Sequence, residues 1–397
     1  MRISTAHAYD ATIDSLSKRM SDLTATQSQI STNQRVNKAS DDPTAAARAE
    51  RANARLQTND ANQRALGMSK NAMTLSESAL GSATDLLTTA RDAMVAAGNG
   101  SYTASDRQTL VNTLTDARKQ LLAVANTDDG SGHYLFAGQG TSALPFVDAP
   151  GGVVYHGADG EQQVASGEPL PTTVDGAVTW MQAPTGNGTF ATSAVTSNGT
   201  GWIDRGSVTN PSAITGSDYR IQFSVASGAT TYSVLKDGVA TSLSNVAYTP
   251  GRAISIDGMS FTISGQPANG DEFEAAKSTQ SQSVFDALDK AIAALKNPNA
   301  NSGQIQQAVS GSIGDIDQSL TRLSSVRSEV GATLNRIDSV AGRLADSKVS
   351  DQTDHSNAVD LDMAAAISAQ STQQTNYEVA LKAYATIQKL SLFNYIN

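Results

Sequence analysis

Apolar residues recur every three or four positions near both ends of the chain and every second position in its middle. Near the N-terminus, with Gln27 filling one slot, the repeating positions are Ile13, Leu16, Met20, Leu23 and Ile30. Near the C-terminus, with Gln370 and Gln374 as interruptions, the stripe comprises Met363, Ile367, Tyr377, Leu381 and Tyr384. Spacings of three and four are typical of a heptad seam along a helix. The two ends therefore predict helices that pair through narrow stripes.

A longer helix is predicted directly after Pro43. One apolar residue falls in every seventh position, at Leu66, Met73, Leu80, Leu87 and Met94. The sequence GNGSY at 98–102 ends the pattern, so an unbroken helix from Pro43 to Ala97 would be about 80 Å long. The C-terminal third repeats this rhythm at Val309, Ile313, Ile316, Leu320, Leu323, Val330, Leu334 and Ile337. Each stripe is too narrow to be stable alone, so we expect an antiparallel bundle built from both chain ends.

The middle of the chain has the period of β-strands. The segment YRIQFSV at 219–225 alternates apolar and polar residues, as a half-buried strand does. Asp257-Gly258 predicts a type I′ hairpin turn. The fold class is thus mainly α with an inserted, small antiparallel β domain. We expect three parts: a terminal coiled-coil domain (1–40 with 360–397), a long helical bundle (41–135 with 276–359) and the inserted β-rich outer domain (136–275).

The segment RVNKASDDPTAAA predicts where the long helix begins. Asp42 is suited to cap the free amides of the first turn, and Pro43 fits the first helical position, which needs no N–H. The carboxylates of Asp41 and Asp42 also favour the positive end of the helix dipole. Asp41, Asp42 and Pro43 therefore mark a joint between the terminal domain and the bundle.

Composition narrows the function classes. Aromatic residues make up only 5% and charged residues 17% of the 397 residues, which suits narrow stripes better than one large core. The net charge of −10 gives no electrostatic support for nucleic acid or an anionic membrane as partner. There are no cysteines, so disulfides and thiolate metal sites are excluded. The opening MRISTAHAYD lacks the apolar core of a signal peptide, which indicates a cytosolic protein or export without a cleaved signal.

No motif predicts catalysis, a cofactor or a metal. The sequences GQGTSA (138–143) and GNGTFA (186–191) match a dinucleotide fingerprint formally, but neither precedes a predicted helix, so we interpret both as turns. The four histidines are scattered, which disfavours a histidine metal site. Asp354, His355 and Ser356 are adjacent, but without a nucleophile elbow they predict a solvated turn rather than a triad. A chain made mainly of seams is expected to be structural.

Several segments together resemble the bacterial flagellin family. RVNKASDDPTAAARA (35–49) is similar to the start of that family's long core helix. RSEVGATLNRI (327–337) resembles its second signature, carried here by Arg327, Gly331, Ala332, Asn335 and Arg336. GQPANGDEFEA (265–275) and the C-terminal segment 366–397 resemble axial members of the family. The resemblance covers roughly the first 130 and last 130 residues, and the β-rich middle carries little of it.

The resemblance implies a structural, non-enzymatic role outside the cell, in the bacterial flagellum. Its implied position is between hook and filament, after type III export without a cleaved signal peptide. The implied partners are further copies in a homo-oligomeric ring, the first hook-associated protein, flagellin and a flagellar export chaperone. The terminal stripes would form the assembly seam. The chaperone and neighbouring subunits would contact apolar residues that point around the whole last helix: Leu390, Leu392, Phe393, Tyr395 and Ile396.

Other functions remain open from the sequence. Within the family the alternative is filament flagellin itself, against which the opening MRIST and the closing LSLFNYI argue. From other classes, a secreted coiled-coil adhesin would lack the SDDP and GATLNR pair. An enzyme hidden in the β domain would show hydrolytic activity from residues 136–275 alone.

Overall fold

The computed structural model describes residues 5–140, 143–164 and 168–396, with side-chain surroundings for 10–140, 143–164 and 168–386. The chain forms two compact units, one from residues 1–64 with 340–397 and the other from residues 65–339. In the described residues the α-helices are α1 (Thr5–Thr32), α2 (Pro43–Ala97), α3 (Ala104–Ala125), α4 (Val284–Lys296), α5 (Ser302–Val359) and α6 (Met363–Ile396). The predicted fold class is therefore confirmed: along the chain, helices precede and follow a β-rich middle.

Helix α2 buries the stripe that the sequence predicts. Its five apolar heptad positions, Leu66, Met73, Leu80, Leu87 and Met94, are all buried. The small residues Ser69, Ser76, Ala83, Ala90 and Ala97 beside them are buried as well, which leaves room for close packing. The helix ends at Ala97, directly before GNGSY, as predicted.

Helices α2 and α5 run antiparallel in the second unit, as a ladder of ion pairs and hydrogen bonds shows. Lys70 Nζ lies 2.7 Å from Asp338 Oδ1, and Arg91 Nε lies 2.7 Å from Asp317 Oδ1. Further along, Gln306 Nε2 donates to the Gly98 carbonyl at 3.0 Å. Residue numbers that rise along α2 thus pair with residue numbers that fall along α5. The apolar stripe of α5 is buried at Ile316, Leu323, Val330 and Ile337.

Helix α4 is an element that the sequence pattern did not single out. Ser283 caps it, because its hydroxyl accepts hydrogen bonds from the amides of Phe285 and Asp286. Helix α3 packs beside it, and Arg118 of α3 binds Asp148 in a bidentate pair at 2.8 and 2.9 Å and also contacts Asp289 of α4. These contacts attach the first part of the β-rich middle to two helices.

An aromatic cluster forms the core of that attachment. Trp180 lies in a π-helical turn, Ala177–Met181, and is fully buried. Its ring stacks on Phe285 of α4, with centroids 6.2 Å apart, and meets the ring of Phe136 edge to face at 5.3 Å. Phe146 lies 6.0 Å from Phe285 and closes the cluster. Residues from both the β-rich middle and α4 therefore share one core.

Sixteen strands are present in the described part of the chain. They are β1 (Phe146–Ala149), β2 (Gly152–Tyr155), β3 (Gln163–Val164), β4 (Leu170–Pro171), β5 (Ala183–Pro184), β6 (Phe190–Thr196), β7 (Trp202–Ile203), β8 (Ser207–Val208), β9 (Tyr219–Ala226), β10 (Ala229–Lys236), β11 (Val239–Ala240), β12 (Val246–Ala247), β13 (Ala253–Ile256), β14 (Met259–Ser264), β15 (Glu272–Lys277) and β16 (Gln280–Gln282). A short 3₁₀ turn covers Pro211–Ala213. Every strand pair in these sheets is antiparallel, as predicted.

A second core lies between the two largest sheets. One has the strand order β11-β10-β9-β15-β6 with β12 on β10, and the other has β13-β14-β7 with β8 on β14. The alternating residues of β9 and β14 point inward, and the buried set comprises Phe190, Ile203, Tyr219, Ile221, Phe223, Val234, Ile254, Met259, Phe261, Ile263, Phe273 and Ala275. The middle of the chain thus contributes to two cores, the aromatic cluster and this sandwich, rather than to one.

Two local predictions have clear outcomes. Asp257 and Gly258 both have positive φ values, 45° and 80°, between the paired residues Ile256 and Met259, which confirms the hairpin turn. The prediction of a turn at Asp354, His355 and Ser356 is wrong, because α5 continues through these residues to Val359. None of the helices in the described ranges is long and apolar enough to cross a membrane.

Candidate assembly surface and its joint

The first unit contains a joint where two distant segments of the chain lie side by side. The amide of Arg35 donates to the carbonyl of Val359 at 2.7 Å, and the amide of Leu361 donates to Asn33 at 3.3 Å. Gln34 and Asp360 form an antiparallel bridge between these bonds. A small core of Val36, Ala45, Ala49, Ala358 and Val359 lies under the joint. The end of α1 is thereby fixed next to the start of α6.

The side chain of Arg35 ties this joint to the start of α2. Its Nη2 donates to the Ala358 carbonyl at 2.8 Å, and its Nη1 donates to Asp42 Oδ2 at 3.0 Å. Asp42 Oδ1 accepts from the amides of Ala45 and Thr44 at 3.0 and 3.2 Å, which is the predicted cap. The Ala45 amide, with Thr44 and Arg35, holds the pKa of Asp42 well below its usual range.

The remaining two residues of the predicted helix start have separate roles. Helix α2 begins at Pro43, as predicted. The carboxylate of Asp41 faces back along the chain and accepts from the amides of Asn37 and Lys38 at 3.0 and 2.9 Å. The two aspartates therefore close two successive turns, and only Asp42 caps the helix.

Replacing Asp42 with alanine, together with Pro43→Gly, should lower the melting temperature of the protein by a few degrees. The Ala45 and Thr44 amides lose their acceptor, Arg35 loses its ion-pair partner, and the glycine frees a backbone angle that proline fixes. Circular dichroism melting at neutral pH measures this, with Ser40→Ala as the matched control. Equal melting curves for the double variant and the control would show that the cap does not stabilise the joint.

In α1, the residues of the predicted seam differ in how far they are covered. Leu16, Leu23 and Ile30 are half-buried. Ile13 and Met20 lie outside the contact, with 47% and 49% of their surface exposed. Thr26 is buried as well, and its hydroxyl bonds back to the carbonyl of Asp22 at 3.0 Å.

Helix α6, which packs along α1, shows the same difference. Tyr377 and Tyr384 are half-buried, whereas Met363, Ile367 and Leu381 are exposed, Ile367 to 55%. Positions that are covered instead include Ala366, Gln370 and Gln373. The covered residues of α1 and α6 therefore include polar and small side chains beside half-buried apolar ones, and each helix leaves some apolar side chains exposed. We call the five exposed residues Ile13, Met20, Met363, Ile367 and Leu381 the outward apolar set.

The family signature lies on α5 in the second unit. Arg327 binds Glu77 of α2, with 2.6 Å between Nη2 and Oε1, and its guanidinium also covers Gly81. Arg336 donates to the carbonyl of Pro169 at 2.9 Å. Ala332 and Asn335 are exposed, and Gly331 has open space where a Cβ would be. The arginines thus hold neighbouring segments, while the small residues between them leave a flat surface.

The predicted chaperone and subunit contacts fall at the end of α6. The helix runs to Ile396, so Leu390, Leu392, Phe393, Tyr395 and Ile396 all belong to it. Their side-chain surroundings lie outside the described residues. Their role remains a prediction from sequence.

The structure adds one cluster that the sequence analysis missed. Arg48, Arg51 and Arg55 line an open groove of about 500 Å³ with Asp354, Asn357 and Ala358. Their spacing of three and four positions in RAERANAR was a visible signal of one basic helix face. Among the described residues, no group of acidic or histidine side chains is arranged to hold a metal ion.

Comparison with known proteins supports what the architecture indicates. Family models match at both ends: the bacterial flagellin N-terminal helical region at residues 3–141 and the C-terminal helical region at residues 313–396. Residues 193–277, in the sandwich, match the D2-like domain of flagellar hook-associated protein 1.

Relatives match along nearly the whole chain. Flagellar hook-associated protein 3 of Salmonella typhimurium is 28% identical over 397 residues, 99% of each chain. The crystal structure of flagellar hook associated protein-3 from Legionella pneumophila is similar with a TM-score of 0.72 and 27% identity, covering 77% of this chain and 97% of that one. A crystal structure described as the flagellar junction protein FlgL from the same organism has a TM-score of 0.67 and 27% identity, covering 79% and 100%.

Proposed function

Because this chain belongs to the bacterial flagellin family and is a structural component of the flagellum, we propose that it joins the hook to the filament. In this role it forms a ring of copies that contacts the first hook-associated protein on one side and flagellin on the other. It reaches that place outside the cell through the flagellar type III export route. The full-length likeness to relatives named hook-associated protein 3 and junction protein supports this role over that of filament flagellin.

The outward apolar set is the observation that carries the proposal. A folded soluble chain normally covers large apolar side chains, yet here the α1–α6 contact covers Thr26, Gln370 and Gln373 and leaves isoleucines, methionines and a leucine exposed. Fully burying one such side chain stabilises a protein or an assembly by about 1.5–3 kcal/mol relative to leaving it exposed. In a ring, neighbouring chains would cover these side chains and add to the stability of the α1–α6 pair, which supports a subunit role in an axial assembly.

The deciding experiment is deletion of the gene, followed by electron microscopy and an assay of the culture medium. A junction role predicts hooks that carry no filaments, together with monomeric flagellin in the medium. Filaments that remain attached would overturn the proposal. If the chain were the filament protein itself, the medium would contain no other flagellin.

The end of α6 gives a second, independent test of the proposal. Leu390→Ser with Phe393→Ser should weaken binding of the export chaperone and abolish filament attachment, because apolar residues all around a helix suit a partner that wraps it. Titration calorimetry measures the first effect and filament counts the second. The melting temperature should remain that of the parent chain, and full chaperone affinity with normal filaments would mean that these residues have no partner.

A further inference from the structure

The arginine-rich face of α2 (Arg48, Arg51 and Arg55) is only partly paired within the described residues. Arg55 is already engaged, with its Nε 2.5 Å from Asp351 and its Nη2 2.8 Å from Asp354. Arg48 and Arg51 are exposed and form no ion pair with any residue whose side chain the structure describes. The Nε of Arg51 donates only to the carbonyl of Ala47, at 3.1 Å. Two guanidinium groups are therefore free to bind carboxylates.

The surface between these arginines is smooth. Ala47 and Ala54 lie on the same side of α2 and are exposed, so no long side chain blocks the approach of another helix. Arg48 and Arg51 are three positions apart, which places their Cβ atoms about 5–6 Å from each other. The face thus presents a pair of cations, one helical turn apart, beside an alanine surface.

The outer side of α1 has the complementary pattern. Asp10 and Asp14 are exposed, four positions apart, and make no ion pair within the described residues. Ile13 is exposed as well and lies next to Asp10 on the helix surface, because positions three apart are neighbours. Two carboxylates at one-turn spacing therefore lie beside an exposed apolar side chain.

We propose that α1 of a second copy docks on the arginine-rich face of α2, with Asp10 and Asp14 bound to Arg48 and Arg51. Ile13 then lies against Ala47 and Ala54. Spacings of three and four positions are both close to one helical turn, which lets both ion pairs form together, and guanidinium–carboxylate pairs of this kind are directional. Apolar contact beside the pairs excludes water and strengthens them relative to exposed ion pairs. This interface rests on the proposed function, since it requires copies side by side in a ring.

Cysteine cross-linking tests the interface directly, because the chain has no cysteine of its own. Cells carry only the variant Ile13→Cys with Ala54→Cys, and their isolated flagella are oxidised and separated on a non-reducing gel. We expect a ladder of covalent dimers and higher multiples. The matched control is Ala54→Cys with Val239→Cys, in which the second site is 69% exposed on β11. A ladder no stronger than the control overturns the interface.

Charge reversal distinguishes this inference from the proposed function. Arg48→Asp with Arg51→Asp should reduce the number of cells with attached filaments about tenfold, and Asp10→Arg with Asp14→Arg should do the same. Combining all four changes restores the pairs with reversed sign, and attachment should recover. If gene deletion removes filaments but the combined variant stays defective and no cross-links form, the interface is wrong and the junction role stands. If deletion leaves filaments attached, the junction role itself fails.

Discussion

Replacing Trp180 with alanine should lower the free energy of unfolding by about 3–5 kcal/mol, the range for truncating a large buried aromatic residue. The indole is fully buried and contacts Phe136, Phe146 and Phe285, so its removal opens a cavity where the β-rich middle is attached to α4. Urea unfolding followed by circular dichroism measures the loss. The change touches none of the residues assigned to assembly.

Two companion variants make this result specific. Trp180→Phe should cost clearly less than alanine, because it keeps an aromatic ring and removes an indole N–H that has no hydrogen-bond partner in the described structure. Val239→Ala, on an exposed strand, should change stability by no more than about 0.5 kcal/mol. If the urea midpoint of Trp180→Ala equalled that of Val239→Ala, the aromatic cluster would not be a core.

Replacing Met20 and Ile367 together with serine should leave the stability of the isolated chain nearly unchanged and abolish filament attachment. Both side chains are about half exposed, so the monomer loses little. Full burial of such a side chain contributes about 1.5–3 kcal/mol, and about half of that remains to be gained in the assembly, so the double change weakens association about tenfold to a hundredfold. Electron microscopy counts the filaments, and immunoblots of the medium confirm that the variant is exported.

The same assay needs a matched surface change. Val239→Ser removes a more exposed apolar side chain from a strand of the second unit and should leave filament counts at the parental level. Normal filament counts in the Met20→Ser, Ile367→Ser variant would mean that the outward apolar set has no role in assembly.

The long bundle could be predicted from the sequence because its apolar residues are covered within the chain. Leu66, Leu80 and Leu87 recur at seven-residue spacing and are all buried, and the cap at Asp42 is a local hydrogen-bond pattern that four residues specify. Where the partner surface belongs to the same chain, the apolar period and the buried face coincide. The boundaries of α2 at Pro43 and Ala97 could therefore be predicted directly from the sequence.

The terminal seam could be predicted only as a set of apolar positions. The pattern at Ile13, Leu16 and Met20 states that these residues will be covered, but not by which chain. The structure distinguishes them by exposure, since Leu16 is half-buried and Ile13 and Met20 are exposed. The polar contact at Thr26 and Gln373 left no apolar signal, so sequence periodicity could not reveal it.

Helix α4 and the aromatic cluster could not be predicted from the sequence, for a different reason. Val284, Phe285, Leu288 and Ile292 have helical spacing, but α4 is only 13 residues long. This segment lies within the predicted bundle range 276–359, in which the pattern did not single out a separate helix. The pairing of Trp180 with Phe285 joins residues more than 100 positions apart. No local pattern specifies such a contact.

The joint at Arg35 has a consequence for the order in which the chain folds. The contacts between α2 and α5 span growing stretches of sequence: 226 positions for Arg91–Asp317, 268 for Lys70–Asp338 and 296 for Arg55–Asp351. The bond from Arg35 to Ala358 spans 323. Each earlier contact shortens the loop that the next one must close, which lowers its entropic cost. Loop-closure entropy therefore favours closing of α2 and α5 from the β-rich middle outward, with the joint forming after them and the α1–α6 contact after the joint.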